Sequence, residues 1–186
     1  MKNILFISLL VNINVLVISC LPPNNQEKCN KFLDDHHNPL AKKVDDIKIK
    51  ANNFSNKAQN AILTIFTRNQ INTMIITMTE TEIFNNMISK LKNEPAAKNR
   101  FKSQFLALET SLNDYNAAVT SAITALDEAI KGDDTVCKNS SLTVTKINKK
   151  MPGESGYKDE LEKVKKDYET VLKTNTDKFN QIKQAL

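Results

Sequence analysis

His36 and His37, flanked by Asp34 and Asp35, form the one run in this chain whose side chains are typical transition-metal ligands. Metal ligands must converge on one ion, commonly from i and i+4 on a helix face or from segments a fold brings together. These four are adjacent in sequence, and the chain has no third histidine. They read as a surface feature, and no metal is expected. Nucleophilic catalysis needs a Ser or Cys held against a His that a third group orients. The only histidines are these two neighbours, and no Gly-x-Ser-x-Gly turn occurs. Three glycines, Gly132, Gly153 and Gly156, cannot form a phosphate-cradling loop. The paired carboxylates Asp45-Asp46, Asp133-Asp134 and Asp159-Glu160 fall on polar faces or in loops and read as solvated rather than as a buried acid–base pair. No catalytic residue and no cofactor are expected, and the chain does not read as an enzyme.

Lysine is the residue type that offers the most. Lys138, Lys146, Lys149 and Lys150 lie in a connecting segment, and Lys158, Lys163, Lys165 and Lys166 follow on the polar face of the last helix. A connector folded back over that helix would merge the eight into one positive surface for a sulfated glycan or an acidic protein patch. The same lysines are interleaved with Asp159, Glu160, Glu162, Asp167 and Glu169, so an ordinary solvated face is the competing reading. Nucleic acid is not expected, because the aromatic residues fall on apolar stripes rather than among the lysines. Met74, Met78 and Met87 have helical spacing and read as core before they read as a ligand pocket.

The elements that must position these residues are helices. Leu40, Val44, Ile47, Ala51, Phe54, Ala58, Ala61 and Ile65 recur in alternating steps of four and three, which places them on one helix face. Asn38-Pro39 precedes the stripe as an N-cap followed by proline at the first helical position. A second helix is expected from about Ile71 to Asn93, with Met74, Ile75, Met78, Ile83, Met87, Ile88 and Leu91 inward; the break before it is placed near Arg68–Gln70, with a single bent helix as the alternative. Asn93-Glu94-Pro95 repeats the cap-then-proline signal. It opens a stripe of Phe101, Phe105, Leu108, Leu112, Tyr115, Val119, Ala122, Leu126 and Ala129 that ends at Lys131-Gly132. A connector over Asp133–Gly156, with room for a short helix at Leu142–Lys150, leads to a last helix over Tyr157–Ala185. Its inward residues are Tyr157, Leu161, Val164, Tyr168, Val171, Leu172, Phe179 and Ile182. The expected fold is all-α: a bundle of four long amphipathic helices, with a fifth short one optional, behind a flexible N-terminal tether. Stripes of this kind serve a bundle core and a homodimer seam equally well.

The first residues carry an address. Lys2 precedes an apolar run over Ile4–Ile18, interrupted by Asn12 and Asn14 and shorter than the roughly 20 apolar residues that span a bilayer. Val17-Ile18-Ser19-Cys20 closes it with a small residue before a cysteine, the form of a lipobox in which cleavage precedes the cysteine and its thiol carries the lipid. Residues 1–19 are then a signal peptide, 20–37 a lipidated tether containing Pro22-Pro23, and 38–186 a single domain. An ordinary secretory signal, cut here or further on, is the alternative. Loss of Lys2 with the leader lowers the formal net charge of +5 by one, leaving a mildly basic chain. Cys29 and Cys137 remain as an exported pair, either free or joined in one disulfide worth about 2–4 kcal/mol.

The Leu16-Val17-Ile18-Ser19-Cys20 ending, the Asn/Lys/Ile-rich composition and the Pro- and Asn-rich tether resemble the Borrelia outer-surface lipoproteins. Signal and tether carry the specific part of that likeness. The resemblance implies a lipid-anchored protein on the bacterial outer membrane, exposed at the surface, that binds a host factor. Factor H, bound for complement evasion, is the first expectation, and adhesion to extracellular matrix or glycosaminoglycan follows. Architecture in this group implies location and a binding role without naming the ligand. Two other readings stay open: a periplasmic structural or assembly lipoprotein that pairs with a bacterial partner or itself, and a eukaryotic secreted protein with Cys20 unmodified.

Overall fold

The computed structural model describes residues 31, 33–131 and 157–186. Among the described residues the fold is an all-α helical bundle without a strand. Its helices are α1 (Asn38–Leu63), α2 (Arg68–Thr77), α3 (Glu80–Asn93), α4 (Pro95–Lys131) and α5 (Tyr157–Ala185). All eight residues of the expected α1 stripe are buried, as is the α4 stripe except for the partly exposed Phe105. The connector Asp133–Gly156, with the expected helix at Leu142–Lys150, lies outside the described residues, as do Cys20, Cys29 and Cys137.

Three helix ends differ from expectation, each for a local reason. Asn38 does not cap α1. A π-helical turn over Leu33–His37 runs straight into the helix, so the end of the expected tether is helical, and Asn38 Nδ2 donates to Asp34 Oδ1 at 2.8 Å. A proline ring collides with the carbonyl four residues back in a regular α-turn, and the wider π-turn before Pro39 relieves that contact. The break after α1 falls at residues 64–67, ahead of the expected Arg68–Gln70. The Thr67 hydroxyl accepts from the Gln70 N–H at 3.3 Å and Gln70 Oε1 accepts from the Thr67 N–H at 2.9 Å. The expected second helix is also two helices, divided at Met78–Thr79 by the same reciprocal cap. Thr79 Oγ1 accepts from the Glu82 N–H, and Glu82 Oε2 accepts from the Thr79 N–H at 2.7 Å. Thr-x-x-Gln and Thr-x-x-Glu are both capping-box sequences. Asn93-Glu94-Pro95 behaves as expected: α3 stops at Asn93, and Pro95 opens α4.

The chain packs as two compact units. The described part of one comprises Ile49–Asn116 and Val171–Leu186. Its core is aromatic: Phe54 stacks on Tyr115 with ring centroids 6.2 Å apart, and Phe105 stacks on Phe179 at 5.2 Å. Arg100 Nε donates to the Thr64 carbonyl at 2.7 Å, satisfying an acceptor that α1 leaves open where it ends. Within this unit α2 is lightly held. Met74 is its one buried residue, while Ile76 is 83% exposed.

The other unit takes the start of α1 through Lys48, α4 from Ala117 and α5 as far as Thr170. Its core is aliphatic and finer-grained: Leu40, Val44 and Ile47 from α1, Val119, Ala122, Leu126 and Ala129 from α4, and Leu161 and Val164 from α5. Alanines let helix backbones approach closely, and each fully buried Leu, Ile or Val contributes about 1.5–3 kcal/mol relative to exposure.

Candidate functional site

Two places gather polar groups worth weighing. The first is the face of α5 singled out in the sequence. Residues 157–185 are helical, so Lys158, Lys163, Lys165 and Lys166 share one element, whereas Lys138, Lys146, Lys149 and Lys150 lie outside the described residues. Lys165 is committed locally. Its ammonium sits 2.7 Å from Asp127 Oδ1 on α4 and 3.8 Å from Glu169 one turn on. The hydrogen bond to Asp127 holds the Lys165 pKa above its ordinary value, with the charges of Asp127, Glu169 and Glu162 adding to it. Lys163 and Lys166 are exposed. The face therefore presents cations to solvent, with Lys165 serving as a tie between helices.

The second place was not foreseen. Within the aromatic unit an apolar cavity of about 40 Å³ is walled by Phe54, Phe84, Met87, Phe101 and Phe179, with Asn175 and Lys178 of α5 also lining it. Asn175 is 1% exposed. Its Nδ2 donates to Asn116 Oδ1 at 3.2 Å, and its own Oδ1 is buried with no partner among the described residues. Lys178, partly exposed, places its ammonium 5.7 Å from the centre of the Phe84 ring. Burial pulls the Lys178 pKa below its ordinary value, and the charge of Glu80 partly offsets that.

One sequence signal does lead to Asn175. Leu161, Tyr168, Asn175 and Ile182 stand at heptad spacing, so the residue between two inward positions must also face inward. Ser55 and Ser111 are buried without such a signal, Ser111 donating to the Leu108 carbonyl at 2.9 Å.

Among the described residues no three His, Cys, Asp or Glu side chains gather as metal ligands, and no helix is long and apolar enough to cross a membrane. Comparison with protein-family models, curated proteins and solved structures finds no match.

Proposed function

We propose that the chain is a lipid-anchored protein of the bacterial outer surface whose helical bundle binds a host factor. A complement regulator such as factor H is the first candidate partner, and a matrix component or sulfated glycosaminoglycan the next. The observation that carries this reading is the leader closing on Val17-Ile18-Ser19-Cys20 ahead of a chain of helices. The exposed lysines of α5 support an acidic partner. Contact through them should weaken with salt, because exposed charges are screened beyond about 8 Å at physiological ionic strength.

The test is a pull-down from host serum with residues 21–186 as bait, alongside protease treatment of intact cells. Recovery of a complement regulator together with shaving of the protein from cells supports the reading. An empty pull-down with a protease-resistant protein moves it to a periplasmic assembly role, with a bacterial partner or a second copy as the target. Affinity that does not change between low and high salt removes the lysines from the account.

A further inference from the structure

Charge is unevenly placed along the aromatic unit. From residue 47 to 79 the chain has no Asp or Glu, and from 83 to 108 Glu94 is the one acid, against Lys90, Lys92, Lys98, Arg100 and Lys102. The fold gathers these stretches where α1 gives way to α2 and α3 to α4. Arg100 Nε, on α4, donates to the Thr64 carbonyl in the turn that follows α1. The Lys90 ammonium, on α3, stands 5.3 Å from the centre of the Phe66 ring in the same turn. Arg68 opens α2 two residues after Phe66. Cations from three helices therefore crowd one end of the unit, and Glu94, the single carboxylate in these stretches, is already paired with Lys90 at 3.1 Å. Arg68, Lys92 and Lys102 are exposed and form no ion pair among the described residues. On α5, by contrast, the four lysines within residues 158–169 are interleaved with five acids.

We propose that this basic end, formed by the start of α2, the end of α3 and the start of α4, binds a sulfated polysaccharide. Positive charge left unneutralised on an exposed surface attracts a polyanion. Helices are about 10 Å across, so cations on three of them are spread over a distance that an extended chain of charges spans and a single small anion does not. Sulfate oxygens accept charge-assisted hydrogen bonds from ammonium and guanidinium groups. Asn69 and Asn99, exposed among these cations, offer amides to sugar hydroxyls. A protein partner is the poorer fit, because tight protein contacts centre on aromatic anchors, and the rings at this end, Phe66 and Phe101, are buried. The same burial leaves no platform on which nucleic-acid bases could stack. Such a glycan is met only by a chain displayed outside the cell, so the assignment rests on the reading above while moving the glycan contact off α5.

The experiment titrates full-length protein by calorimetry with three probes: a heparin decasaccharide, the same decasaccharide stripped of sulfate, and a glutamate decapeptide. The sulfated sugar should bind saturably, more weakly at high salt, and more tightly than either of the others. Arg68→Gln, Lys92→Gln and Lys102→Gln combined should weaken it about tenfold, the joint effect of three exposed ion contacts, with helix content and melting unchanged. Each substitution alone should weaken it about twofold, which keeps the test open should the triple variant misfold. Lys163→Gln, Lys166→Gln and Lys173→Gln remove the same charge from α5 and should have the smaller effect. Equal losses in the two triple variants would mean that net charge binds the sugar, and would overturn the proposal. So would a desulfated sugar that binds as tightly as the sulfated one, or a parent protein that shows no saturable binding. A glutamate decapeptide that binds as tightly as the sulfated sugar would overturn it in favour of an acidic protein segment. Only purified components enter the titration, so its failure is distinct from that of an empty serum pull-down.

Discussion

Tyr168 and Asn175 occupy the same heptad position of α5, seven residues apart, one in each compact unit. Both are buried, and each holds a polar atom with no partner among the described residues: the phenolic oxygen of Tyr168 and Oδ1 of Asn175. Their surroundings differ. Tyr168 belongs to a close-set aliphatic core with Leu161 and Val164, and its hydroxyl is a marginal addition to a ring that fills space. Asn175 brings no comparable apolar bulk. It lines a cavity, with Lys178 one turn away on the same wall. An unsatisfied hydroxyl on a large ring is a tolerated cost of packing. An unsatisfied amide carries a similar cost without the apolar bulk that offsets it.

The sharpest way to break that contrast is Phe101→Ala. Phe101 is 1% exposed and forms part of the cavity wall, so truncation should enlarge the space around Asn175 and cost about 3–5 kcal/mol in urea unfolding. A loss below about 1 kcal/mol would mean that the wall collapses freely, and Asn175 would then be set no differently from Tyr168. The next effect belongs to Tyr168 itself. Burial pushes its pKa up to about 12 from an ordinary 10. Below pH 10 the phenol is protonated in both folded and unfolded chains and adds no pH dependence. Between pH 10 and 12 the unfolded chain loses the proton first, so stability should fall by up to about 3 kcal/mol across that window. Tyr168→Phe should match the parent at neutral pH and show a shallower alkaline decline. A variant that is already less stable at pH 7 would show that the hydroxyl has a partner after all.

A smaller effect separates satisfied polar groups from both of these. Thr79→Ala removes the cap that splits α2 from α3 and should cost about 1 kcal/mol. The cap should also be acid-sensitive. Hydrogen bonds from the backbone N–H and hydroxyl of Thr79 hold the Glu82 pKa below its ordinary 4.5. That stabilisation is fully present above pH 4.5 and is lost as pH falls through the lower folded-state value. Thr67→Ala, whose partner Gln70 does not titrate, should show a similar loss at neutral pH with no acid step. Acid unfolding curves of the two variants check the difference.

The caps also show how much of the molecule was legible. Stripes of Leu, Ile, Phe and Ala at steps of three and four are strong signals, because one buried face must repeat with the helix, and they located α1, α4 and α5. The division at Met78–Thr79 was missed although Thr-x-x-Glu is a readable motif. The apolar residues on either side of it, Met74, Met78, Ile83 and Met87, keep near-helical spacing through the break and hide it. Asn175 was passed over for a different reason: it is polar, and only its heptad place between Tyr168 and Ile182 marks it as inward. The cavity could not be read at all, since it depends on how side chains of four helices fail to fill one space. The lysines were the easiest feature to see, and charge that visible is usually solvated.

Lys165 and Lys166 put that last point to the smallest test. They are neighbours on α5, and both were assigned to one binding face. Only Lys165 is tied across to Asp127, and its ammonium is favoured until pH rises through its elevated pKa. Exposed and partly exposed ion pairs contribute little and are weakened by salt. Lys165→Met should therefore cause a slight destabilisation that shrinks further in high salt, and leave partner affinity almost unchanged. Lys166→Met should do the opposite, with unfolding unaffected and the salt dependence of partner binding reduced. If both variants alter binding alike, the tie to Asp127 opens on contact, and Lys165 joins the binding face. If neither does, the face of α5 is solvated surface, and its lysines leave the account of binding.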